Sequence, residues 1–173
     1  MHGLEASQQL AMKRQIIYIQ LCLLLSLFGA KPIEEIRFDV IHNGKAVGEL
    51  RAVKTVDGVQ TTYSNTTEIK TKIITPVRLS MKIQSTYKSN ELDFSKVDIT
   101  VNSRRYSAST TKRVGNKYLF YKNDKLESTL NGPIKYSAAL MMFNEPSGVS
   151  AAYSEEGGGF HLIEKSVANV YEK

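Results

Sequence analysis

Residues 77–88 read VRLSMKIQSTYK. Val77, Leu79, Met81, Ile83, Ser85 and Tyr87 fall on one parity, and Arg78, Ser80, Lys82, Gln84, Thr86 and Lys88 on the other. Side chains along a strand alternate between the two faces of a sheet, so this spacing predicts a strand with one mostly apolar and one wet face. Wound as a helix, the same residues would scatter their apolar groups around the axis.

The neighbouring stretches carry the same period. Upstream, FDVIHNGKAVGEL (38–50) places two extended runs around Asn43-Gly44, the dipeptide best suited to the positive φ angles of a tight hairpin turn. Ile36, Phe38, Val40 and His42 share one face of the first run. Gly48 inside the second predicts a bulge or the close approach of another backbone, with room for a ligand as the functional alternative. Asp57-Gly58 turns next, and Thr-rich residues 59–74 read as a long strand that Thr75-Pro76 breaks.

Downstream, Ser89-Asn90-Glu91 turns the chain into Leu92. The spacing from Phe94 to Val97 shifts the alternation and predicts a bulge or turn near Ser95-Lys96. Tyr106–Val114, Lys117–Lys122 and Lys125–Leu130 are further β-compatible runs, with turns at Gly115-Asn116 and Asn123-Asp124. Turns this regular, without helix-length periodicity between them, predict an antiparallel meander.

The pattern changes at Asn131-Gly132-Pro133. Ser137–Phe143, SAALMMF, lacks β-branched residues and ends at Glu145-Pro146, which predicts one short helix within 134–143, capped by Ser137. Strands are expected at 148–153, 160–164 and 169–172, with 155–159 as a flexible, solvated loop. The expected fold is all-β: a strongly curved antiparallel meander, a half-barrel or open barrel, with that one helix packed on it.

Length and composition suit one domain, placed at 31–173. Residues 1–30 read as a signal peptide. Lys13-Arg14 form a basic start and Ile16–Phe28 an apolar core too short to span a bilayer. Gly29-Ala30 supplies small residues for cleavage. Met12 is the better-placed start, and an uncleaved anchor is the alternative. Export to the periplasm or cell envelope follows as an expectation, with membrane contact through this segment alone. Cys22, the single cysteine, sits in the apolar run without a lipoprotein context. Removing residues 1–30 leaves 143 residues, takes away Lys13, Arg14 and Glu5, and lowers the net charge from +6 to +5. The remainder holds no cysteine, which excludes disulfides, cysteine-ligated zinc and thiol chemistry.

No constellation for catalysis stands out. His42 and His161 lack metal-ligand spacing, so no metal or cofactor is expected. No G-x-S-x-G elbow occurs. Ser85-Thr86-Tyr87-Lys88 matches S-x-x-K in letters, but a strand sends Ser and Lys to opposite faces. The same geometry separates Glu34 from Glu35 and Glu155 from Glu156. Basic and aromatic residues interleave over 104–121, yet export argues against nucleic acid as a partner. The expectation is therefore a non-enzymatic envelope protein holding a lipophilic or anionic ligand, a lipid or an envelope glycan, against its sheet. Tyr87, Leu140, Met141 and Phe143 are the candidate ligand residues. The alternatives are a module that associates through sheet edges, and an enzyme with a site near Tyr153, Glu155 and His161.

Several stretches together carry a resemblance. They are Phe38-Asp39-Val40 with Asn43-Gly44 and Gly48, Gly132-Pro133-Ile134, Leu140–Phe143 leading to Glu145-Pro146, and Tyr153-Ser154-Glu155 before Gly159-Phe160. In these the chain resembles a family of small exported bacterial proteins that bear a domain-of-unknown-function label and occur largely in Bacteroidetes-type bacteria. The resemblance implies a curved antiparallel sheet with a short helix and no assigned activity. Members of that family continue past the position of Tyr171 with a Pro-x-Gly turn and one more strand, so an early stop is expected here, with one sheet edge left open to association.

Overall fold

A computed structural model describes residues 33–72, 76–167 and 170–172. The expected signal peptide, its start site and Cys22 lie outside the described residues. Eight strands form one antiparallel sheet in sequence order: β1 (Ile33–His42), β2 (Lys45–Asp57), β3 (Gln60–Lys72), β4 (Pro76–Lys88), β5 (Glu91–Val101), β6 (Arg104–Val114), β7 (Lys117–Lys122) and β8 (Lys125–Asn131). The sheet does not close, because β1 and β8 remain its two edges. After β8 come a single helical turn, α1 (Ala138–Met141), a hairpin of β9 (Ala151–Ser154) and β10 (Gly159–Leu162), and a last pair, β11 (Glu164–Val167) with β12 (Val170–Glu172).

The turns explain why the meander is so regular. Asn43-Gly44, Ser89-Asn90, Asn102-Ser103 and Asn123-Asp124 each hold two successive residues at positive φ, the backbone that matches the twist of paired strands. Gly58 and Gly115 each take positive φ at the first central position of their turns. The Asn102-Ser103 turn falls inside residues 92–105, which read as one β-compatible run before the next at 106–114. Pro76 stands at the first position of β4, where its missing N–H does least harm to the ladder.

Register shifts occur where β1 meets β2, β4 meets β5, β5 meets β6 and β7 meets β8. At the first, Val40 pairs with Gly48 and Ile41 with Ala46, leaving Val47 unpaired. Gly48 is also approached by the next strand: a Cβ there would lie 2.0 Å from the carbonyl oxygen of Glu68. Both structural expectations for Gly48 hold. Its space belongs to the β3 backbone, so the ligand alternative falls. At the second shift Tyr87 pairs with Leu92 and Thr86 with Phe94. The extra residue is Asp93, not Ser95-Lys96, and it forms an ion pair with Lys88 at 2.7 Å. Leu92 and Ser95 consequently face the same way, and both are fully buried.

Direct cross-strand partners share a face. One row runs Lys54, Tyr63, Ser85, Ser95 and Thr111; the next runs Ala52, Asn65, Ile83, Val97 and Ser109. Residues 134–155 lie on this face. Tyr63, Tyr87, Leu92, Tyr118, Ile134, Ala139, Leu140 and Tyr153 make the buried cluster, with Ile83, Leu130, Tyr136 and Phe143 against it. Burying side chains of this size contributes about 1.5–3 kcal/mol each, so this cluster is the main stabilising element.

Candidate functional site

The face that carries the core has two halves. Under residues 134–155 the sheet presents small hydroxyl groups: Ser85, Ser95, Ser109 and Thr111 are all buried. The hydroxyls of Ser85, Ser109 and Thr111 meet polar groups brought by the covering segment. Glu155 is the centre of that contact, only 1% exposed. Its Oε1 accepts from Ser85 Oγ at 2.8 Å and from the Ala139 N–H at 3.1 Å, and its backbone carbonyl accepts from Ser109 Oγ at 2.7 Å. Beside it the Thr111 and Tyr153 hydroxyls are hydrogen-bonded at 2.7 Å.

This arrangement corrects two expectations. Residues 155–159 are not solvated throughout, since Glu155 and Gly158 are buried while Gly157 is exposed. Glu155 is interior, the Gly157 N–H donates to Ser154 Oγ at 3.1 Å, and Gly158, at φ +70°, lies where a Cβ would strike the Phe120 ring. Nor does Ser137 cap α1 with its side chain. Ser137 is extended at the N-cap position and makes no cap hydrogen bond. The second helical N–H, that of Ala139, is satisfied by Glu155 from sixteen residues away. A single turn of helix does not persist alone, so α1 depends on this carboxylate and on its contacts with β3 and β4.

Several interior oxygens lack a hydrogen-bond partner among the described residues: Glu155 Oε2, Tyr87 Oη, Asn65 Oδ1 and the hydroxyls of Ser95, Ser107 and Ser137. Burial pushes the Tyr87 phenol far up. The nearby Ser137 hydroxyl opposes this without reaching hydrogen-bonding geometry, and the Glu155, Tyr63 and Tyr118 groups add to it. Burial likewise pushes Tyr153 up to about 12, opposed by Thr111 and reinforced by Glu155.

Toward the other ends of β3 and β4 the same face is apolar. Phe38, Leu50, Thr67, Met81 and Ile99 form one row, and Val40, Gly48, Ile69, Leu79 and Val101 the next. Phe38 is 43% exposed, and Val40, Leu50, Ile69, Leu79, Met81 and Val101 are only partly buried. Arg104 holds the register position beyond Val101; it is exposed and makes no ion pair among the described residues. The opposite face of β1 and β2 is charged instead. Glu35 pairs with Arg51 at 2.6 Å and Arg37 at 2.9 Å, and these guanidiniums hold its carboxyl down to about 2. Glu34 pairs with Lys54 on the other side, so the adjacent glutamates do point apart.

The four candidate ligand residues divide. Tyr87 and Leu140 belong to the core, 4% and 7% exposed, and also form part of the floor of a cleft of about 450 Å³ beside the β4–β5 turn. Phe143 packs on the Tyr63 ring at 5.5 Å between centroids, and Met141 is half-buried outside the cluster. Of the alternative trio, Tyr153 and Glu155 meet in the interior while His161 is exposed on β10, opposite Ala152. Ser85 faces inward to Glu155 and Lys88 pairs with Asp93, so the S-x-x-K letters are split as a strand requires. Among the described residues, no three His, Cys, Asp or Glu side chains gather closely enough to hold a metal ion, and no helix is long and apolar enough to cross a membrane. The apolar half of the face and the role of Glu155 were not singled out from sequence. The parity of residues 77–87 identifies that face. Only the placement of residues 134–155 shows which half is left open.

Comparison with known families matches residues 38–172 to the domain of unknown function DUF6134. No curated protein and no solved structure matches the chain. The chain belongs to the DUF6134 family.

Proposed function

Starting from that membership, we propose that this chain is an exported, non-enzymatic protein of a bacterial cell envelope that carries an anionic amphiphile on the open half of its sheet. One observation carries the reading: Phe38, Val40, Leu50, Ile69, Leu79, Met81 and Val101 share the face that bears the core, yet stay partly or largely exposed. Contiguous apolar surface of this kind marks a binding site more often than a solvated face. Neighbouring strands lie about 4.8 Å apart, so the apolar row from β1 to β5 spans about 19 Å, the reach of a long acyl chain. Arg104 continues that row on β6 and supplies a cation for an acidic headgroup. The four register shifts would bend the sheet around this face, as bulges do. Residues 16–28 support export.

The test is lipid analysis. Protein purified from a native-like envelope should yield an acidic lipid by mass spectrometry, and stripped protein should take up a fluorescent fatty acid. Met81→Glu should abolish uptake, and Arg104→Gln should weaken it. Wild-type protein that carries no lipid and takes up no anionic amphiphile would overturn the reading.

A further inference from the structure

The second opening lies at the other end of the strands. Tyr63, at the cleft, and Ile69, in the apolar half, are six residues apart on β3, about 20 Å at strand rise. The cleft of about 450 Å³ falls in the range of small-molecule sites. Its floor is apolar and rigid: Tyr63 and Tyr87 pack edge-on at 5.6 Å between centroids, with Leu140 beside them, and all three are buried. Its rim is exposed and mostly polar, with the side chains of Asn90, Lys135 and Asn144 and the apolar Val59. Lys135 is the only charged residue lining it and makes no ion pair among the described residues.

We propose that this cleft binds an anionic monosaccharide, at a site separate from the amphiphile face. The C–H face of a sugar ring packs on aromatic and aliphatic groups such as those of the floor. Amide side chains offer both donors and acceptors to vicinal hydroxyls. The one unpaired ammonium selects a carboxylate or phosphate substituent, because a charge-assisted hydrogen bond is about twice as strong as a neutral one. An acyl chain would make no use of the rim amides or the lysine. Inorganic phosphate would leave the aromatic floor unused.

Titration calorimetry of the full chain with glucuronic acid, glucose 6-phosphate, glucose and inorganic phosphate tests this. Both acidic sugars should bind, with glucose and phosphate weaker by about tenfold or more. Lys135→Gln should reduce acidic-sugar affinity by a similar factor with the thermal transition unchanged, since Lys135 is exposed. Met81→Glu should leave sugar binding untouched, which separates this site from the amphiphile face. Failure of both acidic sugars to bind, equal binding of glucose or of inorganic phosphate, or indifference to Lys135→Gln would each overturn the proposal.

Discussion

The two halves of one sheet face are buried to different degrees for a reason other than hydropathy alone. Beside its apolar cluster, the half under residues 134–155 buries serines, a threonine and an asparagine, whereas the open half leaves Phe38, Leu79 and Met81 in contact with solvent. Burial here follows where the covering segment lies, not the hydropathy of the strand residues beneath it. The covered half is held by the buried apolar cluster and, beside it, by specific polar contacts that span the fold, with Glu155 alone joining β4, β6 and α1. The open half is held by strand pairing. The two halves should therefore respond differently to substitution.

The largest expected effect is on the covered half. Glu155→Ala removes the acceptor for Ser85 and for the Ala139 N–H and leaves both buried donors unpaired, at about 1–3 kcal/mol each. Urea unfolding should show a loss of about 2–6 kcal/mol. A loss within experimental error would mean that the carboxylate does not hold the segment down.

Gly48→Ala is the counterpart on the open half. The new Cβ would meet the Glu68 carbonyl oxygen, a backbone atom that cannot swing aside. A loss of about 2 kcal/mol in the same unfolding assay is expected. An unchanged midpoint would show that β2 and β3 are not locked at this bulge.

The third effect is silent at neutral pH and appears only in alkali. Tyr153 ionises near 12 in the folded chain and at its ordinary value of 10.0 when unfolded. A raised folded-state value contributes stability below the unfolded value and loses it as pH rises through the folded one. Stability should fall as pH rises above about 10, through Tyr153 and through Tyr87, whose phenol burial pushes up further, and Tyr153→Phe should remove the Tyr153 share of that decline between about pH 10 and 12. A decline of the same size in the variant would assign it to other groups.

Much of this comparison is legible in the sequence, and the remainder has a physical reason to be hidden. Period-two spacing locates the strands, and Asn43-Gly44 or Asn123-Asp124 mark their turns because few residues accept positive φ. The parity of residues 77–87 identifies the face that bears the core. Asn102-Ser103 carried a usable signal that the β-compatible residues on both sides obscured. A change of phase was legible between Phe94 and Val97 but misplaced, because Phe94 reads as in phase with Leu92 whereas the extra residue, Asp93, falls between those two. The interior position of Glu155 left no local trace. Its side-chain partner Ser85 and its main-chain partner Ser109 lie 70 and 46 residues away, and beside three glycines a carboxylate reads as a surface turn. The same distance effect hid which half of the face residues 134–155 would cover.

Thiol labelling measures that division most directly. In a chain with Cys22, the single native cysteine, replaced by Ser, one new cysteine is placed at Phe38, Met81, Ser85 or Ser95 and reacted with a maleimide under native conditions. Phe38→Cys and Met81→Cys should label promptly, while Ser85→Cys and Ser95→Cys should label only on unfolding. Equal protection at all four positions would contradict an open apolar half, and prompt labelling at Ser85 or Ser95 would contradict the covering role of residues 134–155.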